Sequence, residues 1–290
     1  MILGALEAGG TKMVCAVGDN QGNITDKVVI PTKTPEETMN SIIDYFQTKK
    51  IEGLGVGSFG PIDLNPKSET YGHILKSPKL AWNQYDIVGV LERALHIPVA
   101  IDTDVNSSVL GEVTYGCAKD LDPVVYITVG TGIGIGIYVN GHLLNGMLHP
   151  EGGHILITRH KDDVYHGKCP FHDNCFEGLA SGPAIEERWN QKAEELAQKE
   201  EVWQLEAYYI AQAIVQYILI LSPRKIILGG GVMHVSKLLP MIRSKVIKLL
   251  GGYLDTKELA RIDKYIIPES LAGDQGILGC LELIRRKLSE

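Results

Sequence analysis

The stretch VVYITVGTGIGIGIYVNGHLLN, residues 124–145, starts the second half of the chain afresh. Residues 124–129 form an apolar run rich in β-branched side chains, the composition of a buried strand. Gly130-Thr131-Gly132 interrupts it, and a second run at 133–139 alternates Gly with Ile. Asn140-Gly141 is the pair that a type I′ hairpin turn favours, because both central residues need positive φ, and HLLN opens a third strand. The N-terminus has the same order: ILGALEA at 2–8, the glycine turn GGTK, MVCAVG at 13–18, the turn DNQG, and ITDKVVI at 24–30. A glycine loop joining two strands is a hairpin, whereas the Walker and dinucleotide fingerprints need a helix after the glycines. Those two folds are disfavoured.

Outward from these two openings the halves stay parallel. In the first, Thr34 is the expected N-cap of a helix, with Pro35 at N1 and Glu37 completing a capping box, and the helix runs to about Lys50. A strand at 53–59, a loop through Pro61, Pro66 and Pro78, a helix near 86–96, a strand at 98–102 and a helix over 106–117 follow. In the second, a helix opens at Ser181 with Pro183, another spans about 202–222, and a strand at 225–230, a helix, a strand at 263–268 and a helix at 274–289 complete it. Each half reads βββαβαβα, a repeat of topology without evident sequence identity. That order is the α/β, actin-like (ribonuclease H-like) duplicated fold shared by actin, the 70-kDa heat-shock ATPases and sugar kinases, two domains around a nucleotide cleft. The expected domains are residues 1–117 and 118–290, with an irregular loop bearing Cys and His at about 149–177 and a last helix, about 276–290, able to pack back on the first domain.

Composition narrows the class. A chain of 290 residues exceeds the usual single-domain core size, which favours two domains. Hydrophobic content of 44% and charged content of 22% are those of an ordinary globular protein. No apolar run reaches the roughly 18 residues needed to span a bilayer. The start MILGALEAGG lacks a basic leader, so a cytoplasmic protein without a signal peptide is expected. In that compartment the five Cys are thiols or metal ligands, and Cys15, Cys117 and Cys280 in apolar settings read as core thiols. A net charge of −7 argues against a broad nucleic-acid surface.

Four groups of residues carry chemistry. Gly9-Gly10-Thr11-Lys12 and Gly130-Thr131-Gly132 are matched hairpin turns whose free backbone N–H groups, hydroxyls and Lys12 suit phosphate oxygens. Gly229-Gly230-Gly231 is a third bare turn, suited to adenine and ribose. Asp102, Asp104 and Asn106 follow a strand at the sheet end where α/β proteins place ligands. Phosphoryl transfer to an alcohol needs one carboxylate to take the hydroxyl proton, and Asp104 competes there with a plain helix N-cap role. Finally, Cys169, His172 and Cys175 are two residues apart, a spacing that aims three ligands at one zinc ion. The fourth ligand comes from His149, His154, His160 or His166.

The segments EAGGTK, GVGSFGPID, DTDVNSSVLGE, ITVGTGIGIGIYVNGHLLNG, HPEGGH and CFEGLASG together resemble the sugar kinases of the repressor, open reading frame and kinase (ROK) family, over nearly the whole chain. The glycine pairs and the knuckle of two Cys and one His are most similar to the bacterial fructokinase branch. The resemblance implies an ATP-dependent hexose 6-phosphotransferase, most like a fructokinase, with Mg²⁺ and Zn²⁺ as cofactors and a homodimer as the assembly. Kinases for glucose, mannose or an N-acetylated hexose are the alternatives. It also implies Asp104 as catalytic base, Gly60, Pro61, Glu151, His154 and Glu177 at the sugar, His154 as the fourth zinc ligand, and magnesium near Glu7. Two positions depart from the family pattern: Glu7 stands where Asp is usual, and Thr103 where Asn is usual. A repressor of this family would carry a winged helix of some 60 residues before the first glycine motif, and six residues precede Glu7. A chaperone of the wider fold has no need of Asp104 together with Glu151 and His154.

Overall fold

Two five-stranded sheets carry the fold, and their strands follow one order. The computed structural model describes every residue except Pro78, Glu194 and Glu290. In the first half, β1 (Ile2–Ala8), β2 (Lys12–Asp19), β3 (Ile24–Pro31), α1 (Pro35–Gln47) and β4 (Leu54–Ser58) come in succession. A small hairpin of β5 (His73–Ile74) and β6 (Tyr85–Asp86) then leads into α2 (Ile87–Leu95), β7 (Val99–Thr103) and α3 (Asp104–Thr114). The first sheet is ordered β3-β2-β1-β4-β7, antiparallel across its first three strands and parallel from β1 through β4 to β7.

The second half has β8 (Val124–Val129), β9 (Ile133–Val139), β10 (His142–Leu143), the short helices α4 (Phe176–Ala180) and α5 (Gly182–Trp189), and the long α6 (Glu200–Leu221). After these come β11 (Lys225–Gly229), α7 (Leu238–Leu250), α8 (Ile262–Tyr265), β12 (Ile266–Pro268) and α9 (Gln275–Lys287). Its sheet is ordered β10-β9-β8-β11-β12, with β8, β11 and β12 parallel. Third strand, second, first, fourth, fifth is the order in both, so the duplication read from the sequence is a duplication of structure. One expected strand is shorter: residues 263–265 belong to α8, and only Ile266–Pro268 pair with β11.

By contacts the chain divides into two compact units, Met1–Asp120 with Gly136–Pro150 and Ser270–Glu290, and Leu121–Ile135 with Glu151–Glu269. In the first unit, strand periodicity splits the core in two. Leu6 and Ala8 of β1 pack with Met39, Ile42 and Phe46 of α1, whereas Leu3 and Ala5 pack with Ile277, Leu281 and Ile284 of α9. Glu7 lies on the same side of β1 as Leu3 and Ala5, and so faces α9. Helices α3 and α9 meet backbone to backbone: a Cβ on Gly279 would lie 1.7 Å from the Ser107 carbonyl oxygen, and one on Gly111 would lie 2.1 Å from that of Gln275. Only glycine permits that approach.

Candidate active site

In the first unit the chemistry gathers where β7 gives way to α3. Thr103 ends the strand and caps the helix, its hydroxyl accepting from the Asn106 N–H at 3.1 Å. The cap role considered for Asp104 therefore belongs to Thr103. Asp104 is the first helical residue, and its carboxylate accepts from the Val105 N–H at 2.9 Å. Burial pushes the Asp104 carboxyl up to about 6, with the Val105 hydrogen bond acting in the opposite sense. Neighbouring Asp102 is buried and held by three donors: Asn106 Nδ2 at 2.7 Å, the Thr103 N–H at 2.7 Å and Asn145 Nδ2 at 3.3 Å. Burial raises its carboxyl too, against those three bonds. Asn106 has a second task, accepting from the Ile137 N–H at 3.3 Å. The two acids thus differ in kind: Asp102 has its oxygens engaged by amides, and Asp104 has one oxygen on its own helix turn.

Gly60 and Pro61 follow β4 through a cis peptide bond. The next residue, Ile62, donates its N–H to His149 Nε2 at 3.1 Å, and the His149 ring lies against Gly60. Burial lowers the His149 pKa, which keeps the ring neutral and able to accept that bond. His149 is therefore a brace for the Gly60-Pro61 loop and no metal ligand. Sequence reading missed this role, and it missed Asn145; the one available signal was their place, Asn145 in GHLLNG and His149 as the first residue of HPEGGH. Thr11 and Lys12 are exposed beside the half-buried Gly9 and Gly10, and the Gly9 N–H donates to the Lys12 carbonyl at 3.1 Å. The Glu7 carboxylate lies within 2.8 Å of where a Cβ on Gly276 would stand, at the start of α9.

In the second unit, His154, Cys169, His172 and Cys175 present ligand atoms that all lie within 4.8 Å of one another. His154 Nδ1 is 3.8 Å from Cys169 Sγ and 3.7 Å from Cys175 Sγ, and His172 Nδ1 is 3.6 Å from Cys169 Sγ. A tetrahedral zinc with bonds of ordinary length has edges of about 3.5–3.8 Å, so these four residues fit that ion as they stand. Burial pushes the Cys175 thiol up to about 12, so a bare thiolate is disfavoured there and a divalent cation is what would stabilise it. His160 and His166, the other two candidates, are outside the cluster.

The same histidine links the cluster to Glu177. With Nδ1 turned to the sulfurs, His154 Nε2 lies 3.8 Å from Glu177 Oε1, while Glu177 Oε2 accepts from the Ile133 N–H at 2.9 Å. Glu177 sits in the first turn of α4, next to Cys175, which caps that helix by accepting from the Gly178 N–H at 3.3 Å. Glu151 is exposed just before the turn Gly152–His154, and its carbonyl accepts from the His154 N–H at 3.0 Å. Beside this lie the glycine turns. Gly130 has a single neighbour near its missing Cβ, the Gly231 nitrogen at 3.8 Å, and Gly231 has none, so the turns at 130–132 and 229–231 adjoin and are open at Gly130 and Gly231. Thr131 is exposed there. Gly230 has φ of 90°, a conformation that selects glycine. Gly229 is glycine for another reason: a Cβ there would strike Tyr126 Oη and Glu269 Oε2, which are hydrogen-bonded to each other at 2.8 Å.

The ROK family profile matches residues 3–287. The chain belongs to the ROK family. A protein of Bacillus subtilis is 52% identical over 99% of this chain and 96% of its own. The fructokinase of Pediococcus pentosaceus is 43% identical over 99% of both. Among solved structures, the ROK hexokinase of Thermus thermophilus superposes with a TM-score of 0.81 at 23% identity, covering 100% of this chain and 99% of that one. That likeness bears on the fold, which is the actin-like fold of ROK sugar kinases. Asp104 in one unit and the His154–Glu177 pair in the other lie within the matched residues 3–287.

Proposed function

We propose that this ROK-family chain transfers the γ-phosphoryl group of Mg-ATP to the 6-hydroxyl of fructose, with Asp104 as the general base. The observation that carries the reading is the Asp104 carboxyl at about 6, poised to be ionised at neutral pH yet basic enough to take a proton. The O6–H proton passes to the Asp104 carboxylate as O6 bonds to the γ-phosphorus, and the bond to the β-phosphate oxygen breaks to release ADP. Full-length similarity to the Pediococcus fructokinase supports fructose as the sugar.

Gly60 and Pro61, Glu151, His154 and Glu177 are the proposed sugar contacts. Gly9, Gly10, Thr11, Lys12, Gly130, Thr131 and Gly132 take the phosphates, and Gly229, Gly230 and Gly231 take the nucleoside. Magnesium, when bound near Glu7, supplies charge screening of the phosphates. Zinc on His154, Cys169, His172 and Cys175 supplies orientation: the four donors leave no open position for activating water. With Nδ1 on the metal, His154 Nε2 must carry the hydrogen, and Glu177 Oε1 lies 3.8 Å from it, near enough for charge attraction and too far for a direct hydrogen bond. We place the enzyme in the cytoplasm as a homodimer, among reduced thiols; the described structure has no helix long and apolar enough to cross a membrane.

An ADP-release assay over fructose, glucose, mannose and N-acetylated hexoses tests the specificity. Fructose should give the highest kcat/KM, by about tenfold or more, a difference of roughly 1.4 kcal/mol in transition-state binding. A comparable or higher value for another hexose would reassign the substrate.

A further inference from the structure

A cavity of about 620 Å³ opens on the second unit, lined by Arg224, Lys257, Glu258, Arg261, Lys264 and Tyr265. Arg224 stands just before β11 and Tyr265 just before β12, two parallel strands. The cavity therefore lies at the amino-terminal ends of those strands, whereas Gly229–Gly231 follow the carboxyl-terminal end of β11. Five residues of strand, about 17 Å, separate the two ends.

Four cations and one carboxylate meet there in a chain whose net charge is −7. Glu258 is engaged by Arg224 at 3.5 Å. Lys257, Arg261 and Lys264 have no carboxylate within ion-pair distance among the described residues. Lys257 stands in a turn, Arg261 ends a short 3-10 turn and Lys264 lies in α8, and all three line the one cavity. Like charges so placed repel, and among the described residues Glu258 is the one carboxylate in the lining. Tyr265 is buried at the wall, so the cavity joins an aromatic side to a cationic rim.

We propose that this cavity binds a small phosphorylated molecule carrying at least two negative charges, at a site separate from the phosphate-transfer chemistry. Two or three flexible ammonium and guanidinium groups suit phosphate oxygens, and the volume admits a ligand of sugar-phosphate size. The chain as a whole is acidic, with a net charge of −7, which favours a small ligand over a nucleic acid strand.

The test uses the full chain, loaded with zinc and saturated with fructose and a non-hydrolysable ATP analogue, titrated calorimetrically with pyrophosphate and, separately, with fructose 6-phosphate. Saturable binding of pyrophosphate is expected, weakened about tenfold or more in the exposed double variant Arg261→Glu/Lys264→Glu, and weakened by added salt. The steady-state kcat of that variant should equal wild type, which separates this site from the catalytic one. Matching affinity for fructose 6-phosphate would identify a sugar phosphate as the source, and weaker affinity would identify a polyphosphate group; both support the site. Equal pyrophosphate affinity in wild type and the double variant, or no saturable binding at millimolar concentration, would overturn it. Binding only of a single-stranded oligonucleotide would overturn it as well.

Discussion

At the scale of single residues, the account turns on why Asp104 differs from Asp102. Asp102 lies near the end of β7 and Asp104 opens α3, and both have carboxyls raised by burial, yet Asp102 receives three donors, from Asn106, Thr103 and Asn145, and is fixed as a scaffold. Asp104 receives the Val105 N–H of its own turn. A base must be ionised to accept a proton. Since the Asp104 pKa is raised to about 6, kcat/KM should be level above about pH 7 and fall as pH drops through about 6. The stability effect has the opposite sign: ionising a buried carboxyl is unfavourable, so Asp104 lowers stability as pH rises from the unfolded value of 3.8 to about 6. Asp104→Asn should lower kcat by about 10²-fold with sugar and nucleotide affinity nearly unchanged, measured by steady-state kinetics and direct binding. A variant keeping more than about half of wild-type kcat would remove Asp104 from the mechanism.

At the scale of elements, the loop from His149 to Glu177 carries the Cys/His cluster as one anchor. Its structure shows a second anchor. Asp163 pairs with Arg188 at 3.1 Å with both side chains buried, and accepts from Tyr209 Oη at 2.5 Å; Arg159 donates to the His166 and Asp173 carbonyls. Removing the metal should therefore loosen the part around Cys169–Cys175 and spare the part around Asp163. Cys169→Ser should lose zinc, raise the KM for sugar sharply and lower Tm, with ATP affinity little changed; metal analysis and calorimetry read each effect. Among the helices, Gly279→Ala should destabilise by about 1–3 kcal/mol, because its Cβ would strike the Ser107 carbonyl and force α3 and α9 apart. Denaturant unfolding checks this. Helix α1 shows how finely a cap is legible: Thr34 and Pro35 stand as expected, with the Glu37 N–H donating to the Thr34 hydroxyl. The Glu37 carboxylate, however, accepts from that hydroxyl at 3.0 Å and does not reach back to the backbone. Likewise Cys117, read as a core thiol, is half-exposed, with its sulfur 3.1 Å from Glu112 Oε2. Local patterns set where these elements begin; which polar atom each end finds depends on neighbours distant in the chain, as with Ser270, whose N–H also donates to Glu112.

At the scale of the molecule, the duplication was legible because strand runs and glycine turns are local signals, and each recurs in the same order. The Cys/His cluster was legible in three members, through the spacing of Cys169, His172 and Cys175. The fourth needed either the family resemblance or the structure, since four histidines were open by sequence and Nδ1 of His154 alone reaches the sulfurs. The basic cavity of Arg224, Lys257, Arg261 and Lys264 was not legible, because it joins a strand entrance to a helix some 30 residues later. As a homodimer, the commonest oligomer, the protein should give twice the mass of its 31.8 kDa chain by light scattering at micromolar concentration, and a monomer would contradict that assembly. The central claim is phosphoryl transfer from ATP to the 6-hydroxyl of fructose. It is tested most directly by mixing the enzyme with Mg-ATP and ¹³C-labelled fructose and recording ¹³C and ³¹P spectra of the product. The account predicts one equivalent of ADP and a phosphorus–carbon coupling at C6, whereas coupling at C1, or no phosphorylated sugar, would contradict it.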